Sequence, residues 1–137
     1  MNDHCMGCQT VASLLLRQVA TILTVSQDNF AYALAESLGK QDKIDTVKGY
    51  FRKVPQKYLI SPHGYKQFRK GVEESIAKLC QEGFICDVDV ESAHNSWEQH
   101  GKDILRKLDK IHQKAVDARI KAAFENHRQE IENLLSD

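Results

Sequence analysis

Residues 102–135 read KDILRKLDKIHQKAVDARIKAAFENHRQEIENLL and contain neither proline nor glycine. Apolar side chains recur there at every third or fourth position, as on the apolar face of an α-helix. An unbroken helix of this length would measure about 50 Å, whereas a compact domain of this size is roughly 30 Å wide. Either the helix breaks where the apolar pattern changes phase, or it projects and packs against another chain, which is the alternative we favour.

The apolar positions of this C-terminal region form two sets with helical spacing. The first set runs from Trp97 to Ala122, and the second runs from Ile120 to Leu134 with a shift in phase. We expect Trp97 to hold the long helix against the body of the protein, and we predict a homodimer or a complex with another protein. The predicted partner-binding residues are Trp97, Ile104, Leu108, Ile111, Phe124, Ile131 and Leu134.

The rest of the chain is also predicted to be mostly helical, because its only two prolines, Pro55 and Pro62, lie close together in the middle. Ser26 is a good N-terminal cap for a helix that Gly39 would end. The other bounds follow from the apolar spacing and from the tendency of helices to end before a proline. Helices are predicted over residues 9–23, 27–38, 42–54 and 65–81.

Residues 84–90 are the one strand candidate, because Phe84, Cys86, Val88 and Val90 occupy alternate positions. A lone strand has unpaired backbone groups, so this one would pair with residues 58–60 or with a second copy of the chain. We therefore predict one mainly α domain over residues 1–137. It would be a helical bundle of about five helices with one short β-strand or hairpin, made of a compact body (1–91) and a long C-terminal helix (92–137).

Charges are balanced overall, with 19 Lys and Arg against 19 Asp and Glu, but they are sorted along the chain. Residues 40–70, the basic segment, carry nine Lys and Arg against two Asp, a local net charge of +7. Five aromatic residues are interleaved with these cations. Phosphate contact and base stacking need this combination. The sequence therefore predicts a small, non-catalytic regulatory protein that binds DNA or RNA through the basic segment.

Part of this region resembles a helix-turn-helix motif. In residues 34–39 (LAESLG), Ala35 would lie at the helix crossing and Gly39 in the turn, and the following helix would carry Lys48 and its neighbours to the DNA. Tyr50 or Phe51 would stack on a base or contact a sugar. The predicted nucleic-acid-binding residues are Lys43, Lys48, Tyr50, Phe51, Arg52, Lys53, Lys57, Lys66, Arg69 and Lys70.

Other interpretations of the same residues stay open. Residues 73–98, the acidic segment, carry seven acids against Lys78, a local net charge of −6, so the two segments could pair with each other inside the fold or across a dimer. The aromatic residues could equally belong to the core. The alternative function is a protein–protein interaction module (an inhibitor, an antitoxin-like protein or an adaptor) that acts through the long C-terminal helix and the acidic segment.

The four cysteines leave two alternatives for a cofactor. Cys5 and Cys8 form a Cys-x-x-Cys pair, a spacing at which two thiolates bind one tetrahedral ion. With Cys80 and Cys86, and with His4 able to replace one of them, they would hold a structural zinc ion. Otherwise there is no cofactor, and Cys80 and Cys86 are small buried side chains.

Catalysis and membrane contact are not predicted. The glycines are scattered, so no phosphate-binding loop is present, and no Ser or Cys nucleophile lies in a recognisable turn. The apolar run over residues 11–25 is interrupted by Arg17 and Gln18, and no secretory signal is evident. We expect a cytoplasmic protein without catalytic residues, and we expect its cysteines to be reduced thiols or metal ligands.

Overall fold

A computed structural model describes residues 6–136 of the chain. Within this range the fold is all-α, with six α-helices, two short 3-10 turns (Gln41–Lys43 and Gln56–Tyr58) and no β-strand. No single helix in this range is long and apolar enough to cross a membrane. The helices are α1 (Met6–Leu23), α2 (Gln27–Ser37), α3 (Ile44–Gly49), α4 (Pro62–Leu79), α5 (Val90–His100) and α6 (Ile104–Leu135).

Capping residues fix the ends of three helices. The hydroxyl groups of Ser26 and Ser61 accept hydrogen bonds from backbone N–H groups in the first turns of α2 and α4, and the carboxylate of Asp89 does so for α5. Gly39 has a positive φ of 70° and ends α2 as predicted, because glycine adopts this left-handed conformation without a steric penalty. Pro62 opens α4 at a position where its missing N–H group is not needed.

The core lies where α1, α2 and α4 meet and where α5 and the first half of α6 cover α1. Its largest fully buried side chains are Phe30 and Phe68, which come from α2 and α4. Leucine and valine side chains of α1 fill the space between the helices, because every third or fourth residue of that helix points inward. The other fully buried large side chains are Leu16, Leu23, Leu34, Leu59, Leu79, Leu108, Val19, Val47, Val54 and Val72.

The predicted strand over residues 84–90 is wrong. Residues 84–89 form consecutive bends and turns between α4 and α5, and Val90 begins α5. Tyr58 is the last residue of a 3-10 turn, and residues 59 and 60 follow it without forming a strand. Phe84, Ile85 and Val88 are partly buried against the helical core, so their burial needs no strand partner. Gly83, with a φ of 90°, reverses the chain after α4, and the Asp89 cap starts α5.

The predicted long C-terminal helix is confirmed as α6, but it begins at Ile104 and not at residue 92, because a separate helix, α5, precedes it. Helix α5 ends at Gly101, whose N–H group bonds to the carbonyl oxygen of Trp97. A Cβ atom at position 101 would lie 2.3 Å from the Trp97 ring, so only glycine allows the chain to turn this closely. Helix α6 then continues unbroken for 32 residues through the predicted phase shift.

Helix α6 has a packed half and a free half. Its packed half lies against α1 and buries Ile104, Leu108 and Ala115. None of the residues from 116 to 136 is buried, although the helix continues to Leu135. At 1.5 Å per residue, residues 120–135 are about 24 Å of helix without a core contact.

Candidate functional site

The aromatic residues of the basic segment belong to the core and not to a binding surface. Tyr50 and Phe51 are 4% and 3% exposed, and Tyr58, Tyr65 and Phe68 are also buried. Phe51 packs edge-to-face on Phe30, with ring centroids 5.4 Å apart, while Tyr58 packs edge-to-face on Tyr50 and stacks on Phe68. The expectation that Tyr50 or Phe51 would stack on a base or contact a sugar is therefore corrected, because a buried ring has no free face for a base.

Two of the nine cations in the basic segment are tied to other parts of the protein. Lys48 lies 3.9 Å from the carboxylate of Asp28 and 5.4 Å from the centroid of the Tyr32 ring. Arg69 forms ion pairs with Glu73, at 2.7 Å, and with Asp109, at 2.8 Å. Within residues 6–136 the other seven form no ion pair with an acidic residue; they are Lys40, Lys43, Arg52, Lys53, Lys57, Lys66 and Lys70.

The segment that resembles a helix-turn-helix contains a very short second helix. Helix α3 has six residues, about 9 Å of helix, and a 3-10 turn precedes it. Its Val47 is buried, and the ammonium group of its Lys48 contacts the Asp28 carboxylate and the Tyr32 ring. Helix α3 has fewer than two turns, and base contact by this segment stays a prediction.

The acidic segment makes few contacts with the basic segment. Glu73 is its only acidic residue that pairs with a cation of residues 40–70 in the described part of the chain. The lone cation of the acidic segment, Lys78, pairs with Glu36 at 3.3 Å. Asp89 caps α5, and Asp87 accepts a 3.5 Å hydrogen bond from Asn29. Internal neutralisation therefore accounts for little of the charge segregation.

A cleft of about 600 Å³ lies between the C-terminal end of α2, the turn at residues 56–58 and the part of α4 from its start to Glu74. Lysine residues from all three places line it. It was not predicted as a site, because its walls come from separate parts of the sequence. The lining residues are Ser37, Leu38, Lys40, Lys57, Tyr58, Ser61, His63, Gly64, Gln67, Lys70 and Glu74.

A polar cluster fastens α4 to α6. The phenol of Tyr65 donates a hydrogen bond to the carboxylate of Asp109, which also accepts a bond from Arg69. The ring of His112 stacks on Tyr65 with centroids 4.1 Å apart, and its Nδ1 donates to the carbonyl oxygen of Leu59. Arg69 and Tyr65 thus position the packed half of α6.

Alkaline pH should weaken this cluster. Burial, and next the hydrogen bond to Asp109, raises the pKa of Tyr65 above its ordinary value of about 10. The folded protein thus holds the phenol proton of Tyr65 more tightly than the unfolded chain does. The contribution of this hydrogen-bonded phenol to the free energy of unfolding is therefore complete below about pH 10. Above that pH it is lost, by up to about 1.4 kcal/mol per pH unit. We expect Tyr65→Phe to flatten the decline in unfolding free energy, measured with urea from about pH 8 to about pH 12. Tyr32→Phe, at an exposed position, is the control, and equal slopes for the two variants would contradict the prediction.

The free half of α6 exposes a row of large apolar side chains. Phe124 is 71% exposed, Leu134 77% and Leu135 79%, and Ile120 and Ile131 are about half exposed. Three of the predicted partner-binding residues (Phe124, Ile131 and Leu134) lie in this row. Ile104 and Leu108 are instead buried in the core of their own chain, and Trp97 and Ile111 are partly buried against it.

The cysteines of the zinc hypothesis are placed as follows. Cys8 is buried on α1 and disulfide-bonded, which contradicts the expectation that every cysteine would be a reduced thiol or a metal ligand. Cys80 caps α4, where burial and then the charge of Glu98 raise the pKa of its thiol, and Cys86 is exposed. Cys5 lies outside the described residues. Within residues 6–136 no group of three His, Cys, Asp or Glu is arranged to hold a metal ion.

No protein-family model, no curated protein and no solved structure matches this chain.

Proposed function

We propose that this chain is a small, non-catalytic interaction module that pairs with a second copy of itself through the free half of α6. The observation that carries the proposal is the row of exposed apolar side chains on a helix segment without core contacts. Monomeric proteins rarely expose a contiguous apolar patch of this kind, because water contact with apolar surface is unfavourable.

The spacing along this row is that of a coiled coil. Ile120, Phe124, His127, Ile131 and Leu134 follow one another at intervals of four, three, four and three residues. In a heptad repeat these are the a and d positions, which face the partner helix. We call the four apolar members of this set, Ile120, Phe124, Ile131 and Leu134, together with Leu135, the apolar seam. The seam spans about two heptads.

A second copy is the occupant that the flanking charges permit. In a parallel, in-register pair, the g positions of one chain face the e positions of the other. Ala123 then faces Arg128 of the second copy, and Glu130 faces its Leu135, so no like charges oppose each other at these positions. A two-fold pair also covers the same surface on both chains. Because two heptads make a small contact, we expect reversible association with a dissociation constant on the order of micromolar.

Sedimentation equilibrium over a wide range of protein concentration tests the proposal. The expected result is a mass that rises from the 15.6 kDa of one chain toward twice that value. A mass that stays at 15.6 kDa at the highest concentration would refute self-association and would turn the search to a helix from a different protein.

Nucleic-acid binding is the second candidate function, and it is favoured by the seven cations of the basic segment that form no ion pair within residues 6–136. Arg52, Lys53 and Lys66 are exposed, as phosphate contacts require. Because the aromatic rings of the basic segment are buried, contact with a nucleic acid would depend on the charges of these cations alone. Such binding is sequence-independent and strongly salt-dependent.

The salt dependence of binding is the decisive measurement for this candidate. If three cations contact phosphates of duplex DNA, affinity should fall roughly 40-fold between about 50 and about 200 mM salt. Arg52→Gln and Lys53→Gln should each reduce the slope of the logarithmic plot by about one. Lys107→Gln, on α6 outside the basic segment, is the matched control. Absence of binding at the lowest salt concentration would exclude the candidate.

A further inference from the structure

We propose that the cleft between α2 and α4 is a binding site for a small phosphorylated molecule, and that it holds the terminal phosphate monoester of that ligand. This site is separate from the apolar seam. Its volume of about 600 Å³ lies within the range of small-molecule sites, roughly 300–1,000 Å³.

The charge of the lining selects an anion. Lys40, Lys57 and Lys70 against Glu74 give the lining a formal charge of +2. None of the three lysines forms an ion pair in the described part of the chain, so their charges are not already compensated. A phosphate monoester carries a charge of about −1.5 to −2 at neutral pH, which matches this lining better than a singly charged phosphodiester does.

The lysines approach the cleft from three directions. Lys40 follows the glycine that ends α2, and Lys70 lies on α4. Lys57 belongs to the 3-10 turn, where its ammonium group lies 5.2 Å from the centroid of the Tyr58 ring. Cations distributed around a cavity surround a compact charge, whereas a nucleic-acid backbone is contacted by cations spread along a surface.

An unpaired hydroxyl group in the wall is an independent indication of a ligand. Ser37 lines the cleft, and its Oγ atom is buried without a hydrogen-bond partner. Buried polar atoms in folded proteins are almost always paired, since an unpaired one has lost its water without compensation. Rotation of the Ser37 side chain toward the cleft would let this hydroxyl donate a hydrogen bond to a phosphate oxygen.

The first turn of α4 adds a backbone donor to the same place, the N–H group of His63, since the N–H group of Gly64 already bonds to the hydroxyl of Ser61. His63 and Gly64 line the cleft, and N–H groups at the start of a helix favour a negative charge. Gly64 is required there, because a Cβ atom would lie 2.1 Å from the carbonyl oxygen of Lys57. The close approach of the turn to the helix is thus what brings Lys57 to the helix N-terminus.

Three probes test the site: inorganic phosphate, a nucleoside 5′-monophosphate, and a dinucleoside with one internal phosphodiester and no terminal phosphate. Titrations followed by ¹H–¹⁵N NMR should give saturable shifts centred on His63 and Gly64 with the first two probes, and at least about fivefold weaker binding of the third. Lys57→Gln and Lys70→Gln should each weaken binding about tenfold. Lys66→Gln removes the same charge from α4 outside the cleft and should leave affinity unchanged.

Ser37→Ala separates a ligand contact from a structural hydroxyl group. Its unfolding midpoint without phosphate should equal or exceed that of the wild type, because an unpaired buried hydroxyl is removed, while its phosphate affinity should fall about fivefold. Three results would each overturn the proposal: no saturable shift with inorganic phosphate, equal losses in the Lys66 and Lys70 variants, or binding of the phosphodiester as tight as that of the monoester. The last result would assign the cleft to a nucleic-acid surface.

Discussion

Replacing Phe124 and Leu134 with glutamate is expected to keep the protein monomeric at every concentration at which the wild type forms dimers. Burial of a large apolar side chain is worth about 1.5–3 kcal/mol, and two-fold symmetry removes four of them, about 6–12 kcal/mol in total. A micromolar dimer has only about 8 kcal/mol of binding free energy. The new carboxylates would also face their own copies, so repulsion adds to the loss. Sedimentation equilibrium of the double variant beside the wild type measures the effect.

Asn126→Glu with Asn133→Glu is the matched control. Both asparagines are exposed on the free half of α6 outside the apolar seam, and the pair adds the same two negative charges to the same helix. We expect this variant to dimerise like the wild type. Because none of the four positions contacts the core, both double variants should unfold at the same urea concentration as the wild type when the protein concentration is well below the dissociation constant of the dimer. Equal dimerisation of the two double variants would show that the seam is not the interface.

Most of the helices were predictable here because local chemistry determines them, whereas the helix predicted over residues 42–54 extends only from Ile44 to Gly49. The Ser26 cap, the positive φ of Gly39 and the absence of any breaker after residue 101 act within a few residues of their position. The start of α4 was placed three residues late, at Tyr65. Residues 62–64 contain a proline and a glycine, and the fold uses Pro62 at the first helical position, where it is favourable.

The strand prediction failed because alternation alone does not identify a strand. Phe84 and Val88 are partly buried by turning back onto the helices, and such turns can produce the same period in the sequence. The sequence also did not show whether each aromatic ring is buried or exposed. On α4, Tyr65 and Phe68 face inward while Lys66 and Lys70 face solvent, so interleaved cations and rings on a helix mark its two faces rather than one mixed surface.

The cleft could not be predicted because it depends on long-range packing. Lys40, Lys57 and Lys70 are separated by 17 and 13 positions in the sequence, and they converge only when α2 and the 3-10 turn pack on α4. The free half of α6 differs in this respect. Its exposure follows from its length, because α1 is only 18 residues long and α6 has 32. The length of the helix was therefore sufficient to predict an exposed segment.

Phe51→Ala is expected to lower the free energy of unfolding by about 3–5 kcal/mol, a large part of the roughly 5–15 kcal/mol that stabilises a typical domain. Phe51 is almost completely buried against Phe30, so its removal leaves a cavity where helices meet. Urea unfolding followed by circular dichroism measures the loss. Arg52→Ala, at the adjacent exposed position, is the control and should change stability by less than about 0.5 kcal/mol.

The same variant separates a core ring from a ring that stacks on nucleic acid. A stacking ring would contribute about 1–3 kcal/mol to the binding of single-stranded nucleic acid and little to folding, so its loss would weaken binding without lowering stability. The buried position of Phe51 predicts the opposite, a destabilised protein whose folded fraction binds with the charge-dependent affinity of the wild type. A stable Phe51→Ala variant with weakened binding to single-stranded DNA would show that this ring contacts the nucleic acid, and would contradict its place in the core.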